Sequence, residues 1–195
     1  MWYTVNNMKE NSVKIIAFVG MSGSGKSEAV NFMTEKGYPK VYFGGMIYKE
    51  MERRGIEITE ANEKDFRVMI RETEGKDWVV RQAIEEVKQL IQAGQKKIVL
   101  DGLYSWTEYK MLKKEFPRMM TVIAILTPKK LRYKRVSERK DRPRTLDEIR
   151  TRDKVEIENV EKGGPIAMAD YFILNDKGIS ELHESLEKIL KEIEF

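Results

Sequence analysis

Five short apolar segments recur along the chain, and stretches with helical spacing of apolar residues separate them. Four of the five are rich in Val and Ile and nearly continuous in hydrophobicity, which is typical of strands buried on both faces of a sheet. Strands that alternate with helices of this length predict a doubly wound parallel sheet. We therefore expect a three-layer α/β/α fold around a five-stranded sheet, with strands at residues 13–19, 41–43, 97–101, 121–126 and 171–174.

The starts of three later helices are marked by residues that can satisfy unpaired backbone amides. Ser105 and Thr145 are each followed three residues later by a glutamate, which is the spacing of a reciprocal capping box. Thr127 precedes Pro128, which favours an N-cap followed by proline at the first helical position. These signals predict helices that begin near residues 106, 128 and 146.

Composition narrows the class of protein. The 195 residues correspond to one ordinary domain of about 100–200 residues. Cysteine is absent and His183 is the single histidine, which excludes disulfides, thiolate nucleophiles, iron–sulfur clusters and multi-histidine metal sites. The longest apolar stretches, residues 15–19 and 122–126, are far shorter than the about 20 residues that span a bilayer, so integral membrane functions are excluded.

The amino-terminal segment is polar. Residues 1–11 contain no apolar core of signal-peptide length, and we therefore expect a cytoplasmic protein. We expect residues 1–11 to be flexible and residues 12–195 to form a single domain.

Charge is concentrated in one segment. Residues 132–154 hold seven arginines and three lysines against five acidic residues, a net charge of +5 in a chain whose total is +4. The rest of the chain therefore carries −1. A local excess of this kind indicates an anionic ligand at one place rather than a surface made for nucleic acid.

A glycine-rich loop lies between the first predicted strand and a predicted helix. Its sequence matches the pattern G-x-x-x-x-G-K-[ST], whose backbone N–H groups hold phosphates. The following helix adds the positive end of its dipole. We expect Lys26 to contact the β- and γ-phosphates and Ser27 to bind Mg²⁺; the alternative is a flexible turn that binds nothing. The candidate nucleotide-binding residues are Gly20, Met21, Ser22, Gly23, Ser24, Gly25, Lys26 and Ser27.

The third predicted strand ends in a carboxylate. Asp101 precedes Gly102, and ligands of open parallel sheets lie beyond the carboxyl ends of the strands. Asp101 can therefore meet the magnesium ion of the loop or orient an attacking hydroxyl group. The alternative is an Asp-Gly turn chosen for its backbone conformation.

Together with the loop, several segments resemble the nucleoside monophosphate kinase and dephospho-CoA kinase branch of P-loop kinases. The chain is most similar to a dephospho-CoA-kinase-like, adenylate-kinase-like family common in archaea. The resemblance runs from residue 13 to the carboxyl terminus and implies a P-loop NTPase fold, with a helical acceptor-binding region at residues 44–78 and an arginine-rich lid at residues 132–154. Besides the loop, the segments that carry it are residues 55–59, 71–75, 101–102, 152–153 and 166–171.

The resemblance also implies roles for basic and polar residues outside the loop. Arg135 and Arg139 lie on the helix that enters the lid, and we expect Arg135 to bind the nucleotide and Arg139 to act in catalysis. Arg150 and Arg152 lie on the helix that leaves it and are candidate substrate-binding residues, since guanidinium groups suit phosphate oxygens. The alternative for this segment is a solvated helical face with ion pairs such as Glu148–Arg152.

Two further positions complete the candidate site. Asn175 follows the last strand, in a loop that the resemblance places beside the adenine ring; an ordinary turn is the alternative. Arg71 lies in the acceptor-binding region, where it could hold an acidic acceptor or simply be a surface residue. Lys26, Asp101 and Arg139 are the predicted catalytic residues, and Ser27 and Asp101 the predicted metal ligands.

Two departures from the family pattern affect the acceptor side. The family usually has Gly-Asp after the second strand, where this chain has Gly44-Gly45, and its Asp-Gly-x-Arg becomes Asp-Gly-Leu-Tyr, ending at Tyr104. An acid and an arginine that would touch the acceptor are therefore missing. Asp101 then becomes the leading candidate for orienting the nucleophile.

The sequence leads us to expect an ATP- and Mg²⁺-dependent kinase whose acceptor is a nucleoside monophosphate, dephospho-CoA or a related nucleotide. The alternative is a nucleotide-binding switch or ATPase that phosphorylates no metabolite. An RNA-binding or RNA-kinase protein is a third hypothesis, against which the −1 charge outside the basic segment argues. The oligomeric state stays open.

Overall fold

The computed structural model describes residues 13–140 and 143–195. Its strands are β1 (Lys14–Val19), β2 (Lys40–Tyr42), β3 (Lys97–Asp101), β4 (Met120–Leu126) and β5 (Tyr171–Leu174). They form a parallel sheet with the order β2-β3-β1-β4-β5. β1 lies between β3 and β4, with Phe18 opposite Asp101 of β3 and Ile123 of β4. The predicted five-stranded doubly wound sheet is therefore confirmed.

Nine helices are present in the described ranges, and they connect or follow the strands. Ser105 and Thr145 cap their helices with the predicted reciprocal pairs to Glu108 and Glu148. The bounds are α1 (Lys26–Glu35), α2 (Phe43–Arg53), α3 (Glu60–Thr73), α4 (Trp78–Gln92), α5 (Trp106–Glu115), α6 (Lys129–Ser137), α7 (Leu146–Glu158), α8 (Gly163–Ala167) and α9 (Ile179–Glu192).

The two faces of the sheet are covered by different helices. Alternate residues of β1 point to opposite faces, so Ile15 and Ala17 join the core beneath α2 to α5, while Ile16 and Phe18 pack with α1 and α9. This alternation follows from the period of two in a strand. The helices α6 and α7 pack on each other through a small separate cluster of Tyr133, Val136 and Ile149.

Three details differ from the sequence prediction. Phe43 begins α2 rather than ending β2. β5 is an edge strand, so Phe172 and Leu174 remain more than half exposed and the strand is not buried on both faces. Thr127 does not cap a helix, since α6 begins at Lys129 without a side-chain cap. Its hydroxyl instead lies within hydrogen-bond distance of the backbone oxygens of Ser24, at 3.0 Å, and Asn175, at 2.9 Å.

Candidate functional site

The glycine-rich loop follows β1 at the centre of the sheet and leads directly into α1. Gly23 and Gly25 adopt φ angles of 81° and 105°, a region that L-residues with a side chain rarely occupy. A Cβ on Gly23 would lie 2.7 Å from the backbone oxygen of Arg132, and one on Gly25 would overlap the Asn175 side chain. The loop therefore needs glycine at both positions for conformation and for space.

Lys26, the first residue of α1, turns back over this loop. Its Nζ donates to the backbone oxygens of Gly20 at 2.6 Å and Met21 at 3.2 Å. Burial lowers the pKa of Lys26 to about 7, assisted by the positive charges of Lys162 and Arg152 and opposed by Glu156 and Asp101. The ammonium group is therefore held where water stabilises it poorly, and an anion would restore its charge.

Asp101 lies at the carboxyl end of β3, beside β1 and β2. Its Oδ2 is 3.8 Å from the Nζ of Lys40. Burial raises the pKa of the Asp101 carboxyl, while Lys40 and Lys26 partly offset that effect. The structure thus brings a half-buried carboxylate into the electrostatic surroundings of Lys26, as the strand-end position predicts.

The loop that follows β5 is tied to the phosphate loop. Asn175 is buried and its Nδ2 donates to the Ser24 oxygen at 2.8 Å. Arg135 donates through Nη1 to the Asn175 oxygen at 3.1 Å and through Nη2 to the Lys177 oxygen at 3.4 Å. Asn175 therefore contacts the phosphate loop directly, whereas Arg135 holds the loop that follows β5.

A buried ion pair that the sequence did not reveal fixes the other side of the loop. Arg132 and Asp153 are joined by two hydrogen bonds, Nη2 to Oδ2 at 2.7 Å and Nη1 to Oδ1 at 3.1 Å. Arg132 Nη1 also donates to the Ser22 oxygen at 2.9 Å. Arg132 belongs to the arginines of the predicted lid, but its guanidinium group pairs with Asp153 inside the protein. It thereby links α6, α7 and the phosphate loop.

Glu156 and Lys162 form a second buried pair near Lys26, with Glu156 Oε2 at 2.8 Å from Lys162 Nζ. Arg152 donates from Nε to the other oxygen of Glu156 at 3.0 Å, so its partner is Glu156 rather than Glu148. Lys162 Nζ also lies 4.8 Å from the ring centre of Tyr104, one of the two departures from the family pattern. Neither Glu156 nor Lys162 belongs to a recognisable motif, and only their burial indicates a role.

The remaining predicted residues are more dispersed. Arg71 is exposed on α3 and its charge acts on the buried carboxyl of Glu108, close to Tyr104. Arg150 is exposed and pairs with Asp147 at 2.9 Å, and Arg139 is exposed just beyond α6. The structure does not bring Arg139 or Arg150 into polar contact with the loop, because both extend from the outer parts of the arginine-rich segment.

Some sequence predictions lie outside the described residues. They are the flexible segment at residues 1–11 and the contribution of Arg142 to the lid.

A shallow groove of about 510 Å³ runs along α7. It contains none of the phosphate-loop residues, so the loop and not this groove defines the candidate site. It is lined by Arg144, Asp147, Glu148, Thr151, Arg152 and Val155.

The loop fits a nucleotide better than it fits an isolated metal ion. The Ser24 hydroxyl is buried without a hydrogen-bond partner among the described residues, and Ser27 is exposed at the second position of α1. No group of three or more His, Cys, Asp or Glu residues in the described ranges is arranged to hold a metal ion. This donor set suits Mg²⁺ that takes further oxygens from phosphate groups and water.

Relatives with closely similar sequences establish the family. A UPF0200 protein of Thermococcus kodakarensis is 32% identical over 182 residues, which cover 92% of this chain and 97% of that protein. A UPF0200 protein of Sulfurisphaera tokodaii is 35% identical over 93% of this chain and 98% of its own length. The chain belongs to the UPF0200 family. In addition, residues 19–161 of this UPF0200 protein match the AAA domain family.

Solved structures similar to this UPF0200 protein include kinases of small molecules. A shikimate kinase of Aquifex aeolicus has a TM-score of 0.52 at 21% identity and covers 91% of this chain and 96% of its own. A dephospho-CoA kinase of Campylobacter jejuni has a TM-score of 0.56 at 16% identity and covers 93% and 98%. These likenesses confirm a kinase-like P-loop fold, whereas the dephospho-CoA kinase branch stays a prediction.

None of the helices in the described part of this UPF0200 protein combines the length and the apolar character required to cross a membrane.

Proposed function

We propose that this protein is an ATP-dependent phosphotransferase that moves the γ-phosphoryl group of ATP, with Mg²⁺, to a small nucleotide-like acceptor of the nucleoside monophosphate or dephospho-CoA class. The observation that carries the proposal is the environment of Lys26. Its ammonium group is partly buried against the oxygens of Gly20 and Met21, which are weak substitutes for the charge of a phosphate group. Burial of a cation without a full countercharge is costly and indicates a site made for an anion.

Different residues in and around the loop would contact the phosphates, the metal ion and the nucleoside. Bound ATP·Mg²⁺ supplies the phosphoryl group to be transferred. Lys26 would exchange the oxygens of Gly20 and Met21 for phosphate oxygens. Together with backbone N–H groups between Gly20 and Ser27 it would bind the β- and γ-phosphates. Ser27 and Asp101 would hold the metal ion. Arg135 and Asn175 would position the nucleoside through the loop after β5.

The acceptor side is formed by α2, α3 and the end of β3. Asp101 would orient the hydroxyl group of the acceptor by accepting a hydrogen bond from it. Arg71, which has an exposed guanidinium group, would bind an acidic group of the acceptor. Arg152 would add positive charge around the transferred group. Arg139 and Arg150 lie outside polar contact with the loop, so they would act on the nucleotide or the acceptor only after the arginine-rich lid closes. The likeness to a dephospho-CoA kinase supports this acceptor class.

A second candidate function is a nucleotide-dependent switch or ATPase without a metabolite acceptor. The observation in its favour is that Gly45 has no side chain to contact an acceptor and that Tyr104 lies beneath Lys162 instead of presenting a cation. This candidate predicts hydrolysis of ATP that no acceptor stimulates.

The test is ADP release measured across a panel of nucleoside monophosphates, nucleosides and dephospho-CoA, in the presence of ATP and Mg²⁺. We expect one class of acceptor to stimulate release and the Lys26→Met variant to lower the rate by at least about 100-fold. Lys88→Met is the matched control, because Lys88 lies on α4, outside the proposed acceptor side, and pairs with Glu85 and Glu115. ADP release that is unchanged by every acceptor would favour the second candidate.

A further inference from the structure

Lys162 is buried to an extent that its structural partners do not explain. Only 2% of the residue is exposed, and it lies in the turn between α7 and α8, with its backbone N–H bonded to the Glu156 oxygen at 3.0 Å. A lysine is almost never fully buried unless its charge is paired. Its side chain therefore either stabilises the turn or has a ligand.

The hydrogen-bonding capacity of Lys162 is mostly unused. An ammonium group has three donors, and among the residues described here the acceptor within reach of Nζ is the carboxylate of Glu156 at 2.8 Å. Glu156 is itself shared, since Arg152 also donates to it. The ring of Tyr104 covers another side of the ammonium group and offers an electrostatic contact without an oxygen acceptor. The pair with Glu156 thus leaves Lys162 only partly satisfied.

Lys162 adds to a group of cations that surrounds Lys26. Lys26, Lys162 and Arg152 act on one another electrostatically, and the acidic groups that act on Lys26 and Lys162 are Glu156, Asp101 and Glu108. Of the charged groups that influence Lys26, Lys162 has the largest effect. Two ammonium groups that repel each other in a poorly solvated site are both stabilised by an anion that contacts both of them.

We propose that Lys162 is a second phosphate-binding lysine, which exchanges its contact with Glu156 for an oxygen of the terminal phosphate of the nucleotide. The inference rests on the proposed function. Glu156 then holds Lys162 in place in the free protein and retains Arg152 as its partner when Lys162 moves to the phosphate. Since the γ-phosphate is present in ATP and absent from ADP, Lys162 distinguishes the two nucleotides.

The experiment is calorimetric titration of the full chain with ATP and with ADP, each with Mg²⁺, for wild type and Lys162→Met. We expect the variant to lose about 10- to 100-fold in affinity for ATP, the effect of one charge-assisted hydrogen bond. Its affinity for ADP should change by less than about threefold. Lys162→Arg should recover part of the preference for ATP, because it restores the charge.

Two further variants keep the result interpretable. Removing Lys162 alone leaves the buried Glu156 short of one partner, which could destabilise the protein, so the double variant Lys162→Met with Glu156→Gln removes the pair together. The matched control is Lys113→Met. Lys113 pairs with Asp170 at 2.9 Å and donates to the Met120 oxygen, at the opposite end of the sheet, and we expect its titrations to match wild type.

An equal loss of affinity for ATP and ADP, or no loss for either, in both the single and the double variant would overturn the role of Lys162 while leaving the proposed function intact. Failure of the wild-type protein to bind either nucleotide would overturn both.

Discussion

At the scale of single residues, the lowered pKa of Lys26 would couple binding of the proposed nucleotide to proton uptake. The pKa of Lys26 in the folded protein, about 7, lies below its ordinary value of 10.5. Between these two pH values Lys26 is protonated in the unfolded chain but neutral in the folded protein. The contribution of Lys26 to the free energy of unfolding therefore rises with pH in this range. It is smallest below the pKa of the folded protein, where both states carry the proton. A bound phosphate would raise the pKa again because it stabilises the charged form.

We therefore predict that ATP binding takes up protons at a pH of about 8, where Lys26 is largely neutral in the free protein. The number of protons follows from calorimetric titrations in buffers with different enthalpies of ionisation. Uptake should be smaller at a pH of about 6, where Lys26 already carries its proton. Binding enthalpies that are independent of the buffer at the higher pH would contradict the lowered pKa of Lys26.

A second prediction at this scale concerns Gly23. The Gly23→Ala variant should lose nucleotide binding and be destabilised by more than about 2 kcal/mol, because the φ angle is strained for alanine and the new Cβ meets the backbone of Arg132. Gly94 is the matched control, since its φ is 89° but a Cβ there meets no atom within 4 Å. Gly94→Ala should therefore show only backbone strain of about 1 kcal/mol. Equal losses in the two variants, measured by urea denaturation, would show that space at Gly23 is unimportant.

At the scale of elements, the Arg132–Asp153 pair determines how α6 and α7 attach to the phosphate loop. Both side chains are almost fully buried, and Arg132 also donates to the Ser22 oxygen. Removal of one partner from such a pair leaves a buried charge unpaired, whereas removal of both does not. The pair therefore specifies the position of these helices more than it adds stability.

We predict that Asp153→Asn lowers the free energy of unfolding by about 3–5 kcal/mol and weakens ATP binding through the displaced loop. The double variant Arg132→Met with Asp153→Leu should regain most of the stability but not the affinity, because no side chain then holds the Ser22 oxygen. Arg150→Ala, which breaks the exposed pair with Asp147, should change stability by less than about 1 kcal/mol. Denaturation and calorimetry on the same samples separate the two effects, and recovered affinity in the double variant would refute the positioning role.

At the scale of the whole molecule, the described part of residues 132–154 offers fewer accessible cations than its sequence suggests. Four of its arginines donate hydrogen bonds within the protein. The pairs are Arg132 with Asp153, Arg135 with the Asn175 oxygen, Arg150 with Asp147 and Arg152 with Glu156. A patch that binds nucleic acid by releasing counterions needs cations that are accessible to phosphates. The arrangement suits one small anion in the cleft.

We predict that single-stranded RNA binds no more tightly than about 10⁻⁶ M at physiological salt, the range of non-specific contacts. Fluorescence anisotropy with a labelled oligonucleotide measures this affinity, and ATP measured under the same conditions serves as the reference ligand. Tighter binding that falls steeply as salt increases would restore the RNA-binding hypothesis.

Much of this architecture follows from local sequence. The order of strands and helices, the position of the phosphate loop and both capping boxes depend on residues within a few positions of one another, so their patterns are readable along the chain. The prediction that Thr127 caps a helix also used only local residues, and it is wrong for that reason. The Thr127 hydroxyl lies within hydrogen-bond distance of backbone oxygens of Ser24 and Asn175, about 100 and 50 residues away, and no local pattern could indicate that choice.

The sequence alone thus determined the class of fold, the phosphate loop with Lys26, and the carboxylate of Asp101 at a strand end. Only the tertiary structure decided which cations surround that loop: it paired Arg132 with Asp153, left Arg139 and Arg150 outside, and brought Lys162 from the turn before α8. The physical reason is that burial and charge pairing depend on which distant segments come into contact at one edge of the sheet. Those contacts are decided by packing, which the spacing of residues along the chain does not encode.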